Sequence, residues 1–279
     1  MAPRLGPRVV WGVIVICVAG FAVAPVLLSH DVYSYVDYAR LGVQHGLDPY
    51  VHPPLAAPQD PAYAQVTWTE ATSAYGPLFT LATYPLAWLP VGAAVAVLKA
   101  VAALSVLGVA AIASRLAASR GIDRLRAAAF VALNPLILVH VVGGAHNDGL
   151  TVLLAMAAVA ALLSSRELSA GAALVAAVAT KASAAFLAPF ALLGSQKRMR
   201  FLAGAIGAAA GIAVAAWLAF GWDWLSGFGL AGENQDRTSY MSIPITTARL
   251  AGLDPDAVRL AAALFFAAAI AYLLAWTWR

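Results

Sequence analysis

The chain has 279 residues, of which 62% are hydrophobic and only 11% are charged, whereas about 25% of residues are charged in ordinary soluble domains. This balance excludes a soluble globular protein and predicts an all-α, polytopic transmembrane protein. The net charge of +4 comes largely from basic residues that cluster beside apolar runs, so it reports membrane orientation and excludes a nucleic-acid partner.

The first apolar run covers residues 9–28 and follows Arg4 and Arg8. Basic residues prefer the cytoplasmic side, so we predict a cytoplasmic N-terminus and a first transmembrane helix within residues 1–28. Ala22 and Ala24 would also suit the cleavage site of a removable signal peptide. The run exceeds the roughly 7 to 15 apolar residues of such a peptide, which favours a retained helix.

Residues 29–76 form an acid-rich segment that follows this helix on the outer side. Its acidic residues are Asp31, Asp37, Asp48, Asp60 and Glu70, and Arg40 is its only Arg or Lys. We predict an ordered extracytoplasmic loop that contains an interfacial helix.

Residues 77–279 are predicted to form a transmembrane helical bundle. Its crossings are residues 92–114, 127–142, 149–163, 168–180, 184–193, 201–220 and 257–278, with an outer loop at 221–256. The cluster Arg115, Arg120, Arg124 and Arg126 fixes the loop after the first of these crossings inside. The total is about eight crossings with both termini in the cytoplasm. Because the last helix runs directly to Arg279, we expect an incomplete chain or one that needs partner helices.

One face of the predicted interfacial helix carries a carboxylate and two tyrosines. Asp31, Ser34, Tyr35 and Tyr38 follow the i, i+3, i+4, i+7 spacing of a helix. Asp37 lies on another face and can pair with Arg40 at i+3. Two simpler interpretations remain open, since Asp31 would also suit a helix N-cap and the tyrosines an aromatic belt at the lipid headgroups.

Two further polar features interrupt the apolar bundle. Residues 143–149 form a polar turn that contains His146, Asn147 and Asp148, and Lys181 lies at the tip of the short hairpin. A plain outer hairpin turn would explain the glycines and Asn147, and a lysine near a membrane surface can extend to water. Polar groups among apolar helices are nevertheless costly unless they are paired, which makes these residues candidates for a functional site.

Together these groups fit glycosyl transfer from a lipid phosphate. A carboxylate can accept the proton of an attacking sugar hydroxyl, while a cation and a His donor stabilise the negative charge on the departing phosphate. Aromatic side chains can hold pyranose rings, and the outer segments offer Tyr33, Tyr35, Tyr50, Trp68, Tyr75, Trp222 and Trp224.

Several stretches resemble a known family. Ser-His-Asp-Val-Tyr-Ser-Tyr at 29–35, Gly-Leu-Asp-Pro-Tyr at 46–50 and Ser-Ala-Tyr-Gly-Pro-Leu at 73–78 resemble the first outer loop of actinobacterial polyprenol-phosphate-mannose-dependent α-mannosyltransferases. Asn-Pro-Leu at 134–136 and Gly-Gly-Ala-His-Asn-Asp at 143–148 are similar to the second signature of that family. The likeness is greatest to the α-(1→6)-mannosyltransferases of lipomannan and lipoarabinomannan synthesis, which belong to the GT-C class of integral membrane enzymes.

The resemblance implies a substrate set and a location. The donor would be polyprenyl phosphomannose embedded in the membrane lipid, the acceptor a mannan or lipomannan glycan, and the transfer inverting. The enzyme would be a multi-pass protein of the cell membrane with its site facing away from the cytoplasm. No Asp-x-Asp pair stands in the first loop, so we predict a metal-free site without a cofactor.

The resemblance also assigns roles to residues. Asp31 matches the presumed catalytic base, His146, Asn147 and Asp148 match active-site turn residues, and Lys181 matches a phosphate contact. The first loop adds His30, Tyr33, Tyr35, Arg40 and Tyr75 as predicted substrate-binding residues. The alternatives are a transporter or lipid-carrier flippase, and a non-catalytic subunit or fragment.

Overall fold

The computed structural model describes residues 6–233 and 242–278. These residues form twelve α-helices, which confirms the all-α prediction: α1 Pro7–Val23, α2 Asp31–Gln44, α3 Pro77–Thr83, α4 Val91–Ser119, α5 Arg124–Ala132, α6 Asp148–Leu163, α7 Glu167–Thr180, α8 Ala188–Gly194, α9 Arg198–Phe220, α10 Ser226–Glu233, α11 Ile243–Ala251 and α12 Pro255–Trp278. Shorter 3-10 segments cover Pro54–Ala56, Tyr63–Gln65, Tyr84–Trp88, Ala182–Leu187 and Asp223–Leu225, and Ile137–Gly143 is π-helical. Arg4, Arg279 and part of the predicted outer loop 221–256 lie outside the described residues.

Three of the described helices are long and apolar enough to cross a membrane, namely α4, α9 and α12. A fourth span is possible if α5 and the π-helical segment, which are bent by 60° relative to each other, count as one. Shorter apolar helices stand at α1, α6, α7 and Ala182–Gly194. Each predicted crossing therefore contains helix, while the count of eight crossings and the GT-C architecture stay predictions.

The first helix is shorter than the sequence suggested. It ends at Val23, so the prediction of a helix through residue 28 is wrong. Proline at 25 disfavours a helical conformation in the residue before it, and Ala24 is accordingly extended, with ψ 161°. Residues 24–30 form a connector between α1 and α2, and Leu28 within it has a positive φ of 63°.

The interior consists of two adjoining layers around α4. Ile14 and Val18 of α1 pack against α4 and the π-helical segment through Val106 and Val142. In the N-terminal half of α4, Leu98 packs against Val32 and Val36 of α2, together with Tyr35 and Phe79. The helix predicted in the first loop is α2, and its apolar face rests on α4. Its position at the membrane interface stays a prediction.

The predicted hairpin around Lys181 is present as α7, a 3-10 segment and α8. Its base is closed by the Ser195 hydroxyl, which donates to the buried Glu167 carboxylate at 2.6 Å. Its tip contacts the first loop, because the Gly76 N–H donates to the Thr180 carbonyl at 3.1 Å. A Cβ at Gly76 would stand 2.1 Å from the Ala179 carbonyl oxygen, so only glycine allows this approach.

Helices α7 and α9 approach each other through glycines. A Cβ at Gly204 would stand 2.0 Å from the Leu168 carbonyl oxygen, and one at Gly171 would stand 2.1 Å from that of Phe201. Small residues at such positions let helix backbones approach closely in apolar surroundings.

We expect Gly204→Ala to lower the free energy of unfolding by about 1–3 kcal/mol, because the added methyl forces the two backbones apart. Gly207→Ala on the same helix is the matched control, since nothing lies within 4 Å of its Cβ position. The control should be neutral or slightly stabilising, because alanine favours a helix over glycine. Thermal unfolding in detergent micelles measures both, and equal melting temperatures would contradict this packing.

Candidate active site

Asp31 is the first residue of α2. Its backbone N–H donates to the Ser29 hydroxyl at 3.2 Å, and its carboxylate accepts the Trp68 indole N–H at 3.3 Å. The N-cap position belongs to His30, whose side chain makes no capping hydrogen bond, so the capping interpretation of Asp31 is wrong. A carboxylate in the first turn is favoured by the helix dipole, and the Asp31 side chain remains 24% exposed.

The polar turn at residues 143–148 packs against the connector after α1. The Leu27 N–H donates to the Gly143 carbonyl at 3.2 Å, and a Cβ at Gly143 would stand 2.8 Å from the Leu27 side chain. A Cβ at Gly144 would stand 2.6 Å from the His140 carbonyl oxygen. These glycines allow close contact, while the left-handed residue of the turn is Ala145, with φ 53°.

The turn, α2 and the hairpin bring four predicted residues into one chain of charged and polar groups. His146 Nδ1 lies 3.8 Å from an Asp31 carboxylate oxygen and 3.8 Å from one of Asp148. The Lys181 ammonium then donates to both Asp148 oxygens at 2.8 Å. Asp148 and Lys181 are 40% and 33% exposed, whereas His146 is only 7% exposed. The two residues at the ends of this row of side chains, Asp31 and Lys181, therefore remain accessible to a substrate.

The surroundings of His146 favour its neutral form. Burial lowers the pKa of His146 first, and the neighbouring His140 lowers it further, while Asp31 and Asp148 oppose the shift. The two imidazole rings stack with their centroids 4.1 Å apart. A neutral imidazole between two carboxylates can donate a hydrogen bond from one nitrogen and accept at the other.

Two residues of the polar turn carry buried polar atoms without a hydrogen-bond partner. Among the described residues, neither the His146 Nε2 atom nor the side-chain amide of Asn147 has a hydrogen-bond partner, although both side chains are buried. Leaving such groups unpaired is costly. The described residues contain no group of three or more His, Cys, Asp or Glu side chains that could hold a metal ion, and the metal-free site stays a prediction.

The predicted aromatic residues fall into two groups. Tyr35 and Tyr38 are 2% and 4% exposed, so they pack inside the fold and do not form a belt at the lipid surface. The Tyr75 ring meets that of Tyr35 edge to face at 4.7 Å. Nearer the surface, His30 lies edge-on to Tyr33 at 5.6 Å. The substrate-binding roles of His30, Tyr33, Tyr35 and Tyr75 stay predictions.

Arg40 belongs to a different cluster. Its guanidinium donates to Asp60 at 2.7 Å and to the Ala87 carbonyl at 3.1 Å, and His45 contacts the other Asp60 oxygen at 2.8 Å. The predicted pairing of Arg40 with Asp37 is wrong, because the guanidinium binds the Asp60 carboxylate of the loop instead. Arg40 is therefore not part of the group of side chains around Asp31. Its predicted role in substrate binding stays a prediction.

Asp37 is left buried, and its carboxylate oxygens have no hydrogen-bond partner in the described part of the chain. Burial, followed by the negative charge of Asp60, raises the pKa of Asp37 to about 7, although His45 and Arg40 oppose the shift. A carboxyl with this pKa is largely protonated in mildly acidic solution.

Lys99 is a site residue that motif analysis missed. It is 4% exposed within α4, and its ammonium donates to the carbonyls of Ala24, Pro25 and Gly143. The first two acceptors belong to the connector that leads to Asp31, and the third belongs to the turn that carries His146. The available signal was a single lysine in an apolar span, which is a functional candidate by default.

Residues 1–197 match a family model described as alpha-(1->6)-mannopyranosyltransferase, N-terminal domain. The alpha-(1->6)-mannopyranosyltransferase A of Mycobacterium tuberculosis is 33% identical over 177 residues, which cover 60% of this chain and 34% of that protein. The protein of the same name from Corynebacterium glutamicum is 30% identical over 185 residues, which cover 63% of this chain and 37% of that protein. The match therefore spans just over a third of these relatives' length. No solved structure matches the chain.

We expect Asp37→Asn to change how stability depends on pH. The pKa of Asp37 is higher in the folded than in the unfolded state, so its contribution is fully present below about pH 4 and is lost as the pH rises through about 7. At pH 8 the variant should therefore be more stable than the wild type, by up to about 4 kcal/mol. Near pH 4 the two should have similar melting temperatures in detergent, and parallel curves across the whole range would contradict the shift.

We also expect Lys99→Met to lower the free energy of unfolding by about 1–3 kcal/mol, because it removes the hydrogen bonds from the ammonium to the carbonyls of Ala24, Pro25 and Gly143. Lys181→Met is the control, since the Lys181 ammonium is 33% exposed and its partner Asp148 is 40% exposed. Thermal unfolding should show the larger loss for Lys99→Met. A larger loss for Lys181→Met would mean that the carbonyl contacts contribute little.

Proposed function

This chain belongs to the alpha-(1->6)-mannopyranosyltransferase family, and we propose that it transfers mannose from polyprenyl phosphomannose to a mannan or lipomannan acceptor. The transfer inverts the sugar carbon, and the site faces away from the cytoplasm. The family membership suggests the reaction. The observation that carries the proposal is the row of neighbouring side chains that runs from Asp31 through His146 and Asp148 to Lys181. It joins a carboxylate and a cation through one buried imidazole.

In this proposal Asp31 is the general base. An acceptor hydroxyl attacks C1 of mannose and gives its proton to Asp31, while the bond from C1 to the phosphate oxygen breaks and its electron pair leaves with the polyprenyl phosphate. The Trp68 indole N–H engages one Asp31 oxygen at 3.3 Å and orients the carboxylate. The second oxygen is the one that faces His146.

Lys181 then stabilises the leaving phosphate. A lysine ammonium has three N–H donors, and the hydrogen bonds to Asp148 use two of them, so the third can bind a phosphate oxygen. Asp148 holds the ammonium in place.

The membrane supplies the remaining requirement, since the donor is a lipid. Lys181 stands at the tip of the hairpin formed by α7 and α8, beside the apolar helices that could cross a bilayer. A phosphate at headgroup level would meet the ammonium while its polyprenyl chain stays in the hydrocarbon. This placement supports an outer-surface site and fits the basic cluster predicted on the cytoplasmic side.

We expect Asp31→Asn to lower mannosyl transfer by at least about 100-fold, the lower end of the range for removing a general base. Transfer is measured in membranes with labelled polyprenyl phosphomannose and a short α-mannoside, and the product linkage is read by NMR. Asp37→Asn is the matched control, because it makes the same chemical change on the same helix outside the site. It should leave transfer unchanged.

Undiminished transfer in Asp31→Asn, with normal membrane insertion, would remove Asp31 from the base role. Movement of the labelled lipid across the membrane without any glycosidic product would instead favour the flippase alternative. A product with a linkage other than α-(1→6) would support glycosyl transfer but show that a different hydroxyl of the acceptor is attacked.

A further inference from the structure

A surface cavity of about 430 Å³ lies against the first loop, next to the proposed base. Residues 67–72 and Leu230 of α10 line it. Trp68 is 50% exposed on this surface, and its indole N–H is the donor to Asp31. The same side chain therefore belongs to the cavity and to the active site. The volume falls within the roughly 300–1,000 Å³ of small-ligand pockets.

The wall of this cavity is fixed to the helix that carries Asp31. The Tyr38 hydroxyl donates to the carbonyls of Ala71 and Thr72, at 2.8 and 3.2 Å. Asp31 and Tyr38 are seven residues apart on one face of α2, about 10 Å along its axis. Both ends of that face thus hold segment 67–72, and the Leu55 N–H adds a hydrogen bond of 2.9 Å to the Thr69 carbonyl. The cavity is preformed relative to the base.

The lining selects the charge of the ligand. It offers an indole, the hydroxyls of three threonines and the Glu70 carboxylate, and the described residues that line it include no cation. Hydroxyl and carboxylate groups pair well with sugar hydroxyls, whereas a phosphate would meet Glu70 without a counter-charge. The cation of the site, Lys181, lies at the other end of the chain of polar groups. The anionic donor and a neutral ligand are thereby assigned to opposite ends.

We infer that this cavity is the acceptor subsite and binds a neutral mannoside, an inference that rests on the function proposed above. Asp31 does not line the cavity but contacts the edge of the Trp68 indole. The reacting mannose therefore lies past that edge at Asp31, and the preceding sugar units occupy the cavity. The site consequently distinguishes oligosaccharides from a single mannose.

The test uses the detergent-solubilised chain with α-(1→6)-mannotriose and methyl α-mannoside as acceptors. Trp68→Ala should raise the KM for mannotriose at least tenfold, equivalent to about 1.4 kcal/mol, with the donor KM unchanged and a smaller effect on methyl α-mannoside. Trp68→Phe keeps a flat ring but loses the N–H donor, so it should restore the mannotriose KM while kcat stays reduced. Trp88→Ala is the control, since Trp88 is 73% exposed and lies outside the cavity.

A second variant tests the same cavity independently, in case the tryptophan variants misfold. Glu70→Ala changes an exposed side chain of the lining and should raise the mannotriose KM by a smaller factor than Trp68→Ala. Direct binding of mannotriose, measured by calorimetry without donor, should weaken in the same order.

The outcomes separate the inference from the proposed function. If the wild type transfers mannose while Trp68→Ala and Glu70→Ala leave the mannotriose KM unchanged, the subsite is elsewhere and the function stands. If mannotriose binding depends on Trp68 while no transfer occurs, the subsite stands and the proposed reaction fails. If the wild type neither binds mannotriose nor transfers mannose, both are overturned.

Discussion

Lys99 lies within the apolar helix α4, so its ammonium needs hydrogen-bond acceptors from other segments, and these contacts organise the site. Its acceptors come from two segments that are far apart in sequence, the connector at Ala24 and Pro25 and the turn at Gly143. A buried charge is tolerated only when it is well paired, so these carbonyls must stay converged for the fold to be stable. That convergence places the start of α2 beside the turn that carries His146.

The rest of the site extends from this junction in two directions. Toward the hairpin, Asp148 binds Lys181, and Gly76 fastens the hairpin tip to the first loop through its close approach to Ala179. Toward the loop, Asp31 and Tyr38 bind segment 67–72 from one face of α2. The cationic and the neutral ends of the site are thus held by short contacts on either side of this junction. This separation matches a reaction that joins an anionic lipid donor to an uncharged sugar.

The two aspartates of α2 show how environment separates two chemically identical groups. Asp31 remains partly exposed and is hydrogen-bonded by Trp68, whereas Asp37 is buried and has no hydrogen-bond partner among the described residues. Burial raises the pKa of Asp37 to about 7. The two residues are six positions apart, yet of the two only Asp31 is partly exposed to solvent.

The sequence by itself determined the all-helical class and the residues at the centre of the site. Apolar runs must become helices in a bilayer because backbone groups have no water to bond, and the helical spacing of Asp31, Tyr35 and Tyr38 follows from local geometry. The tertiary structure alone decided the partners: Trp68 lies 37 residues from Asp31, and Lys99 lies 75 residues from Ala24. It also paired Arg40 with Asp60 rather than with Asp37. A local pairing at i+3 competes with any carboxylate that the fold brings closer. Local patterns specify which groups need a partner, and only the packing of distant segments specifies which partner each receives.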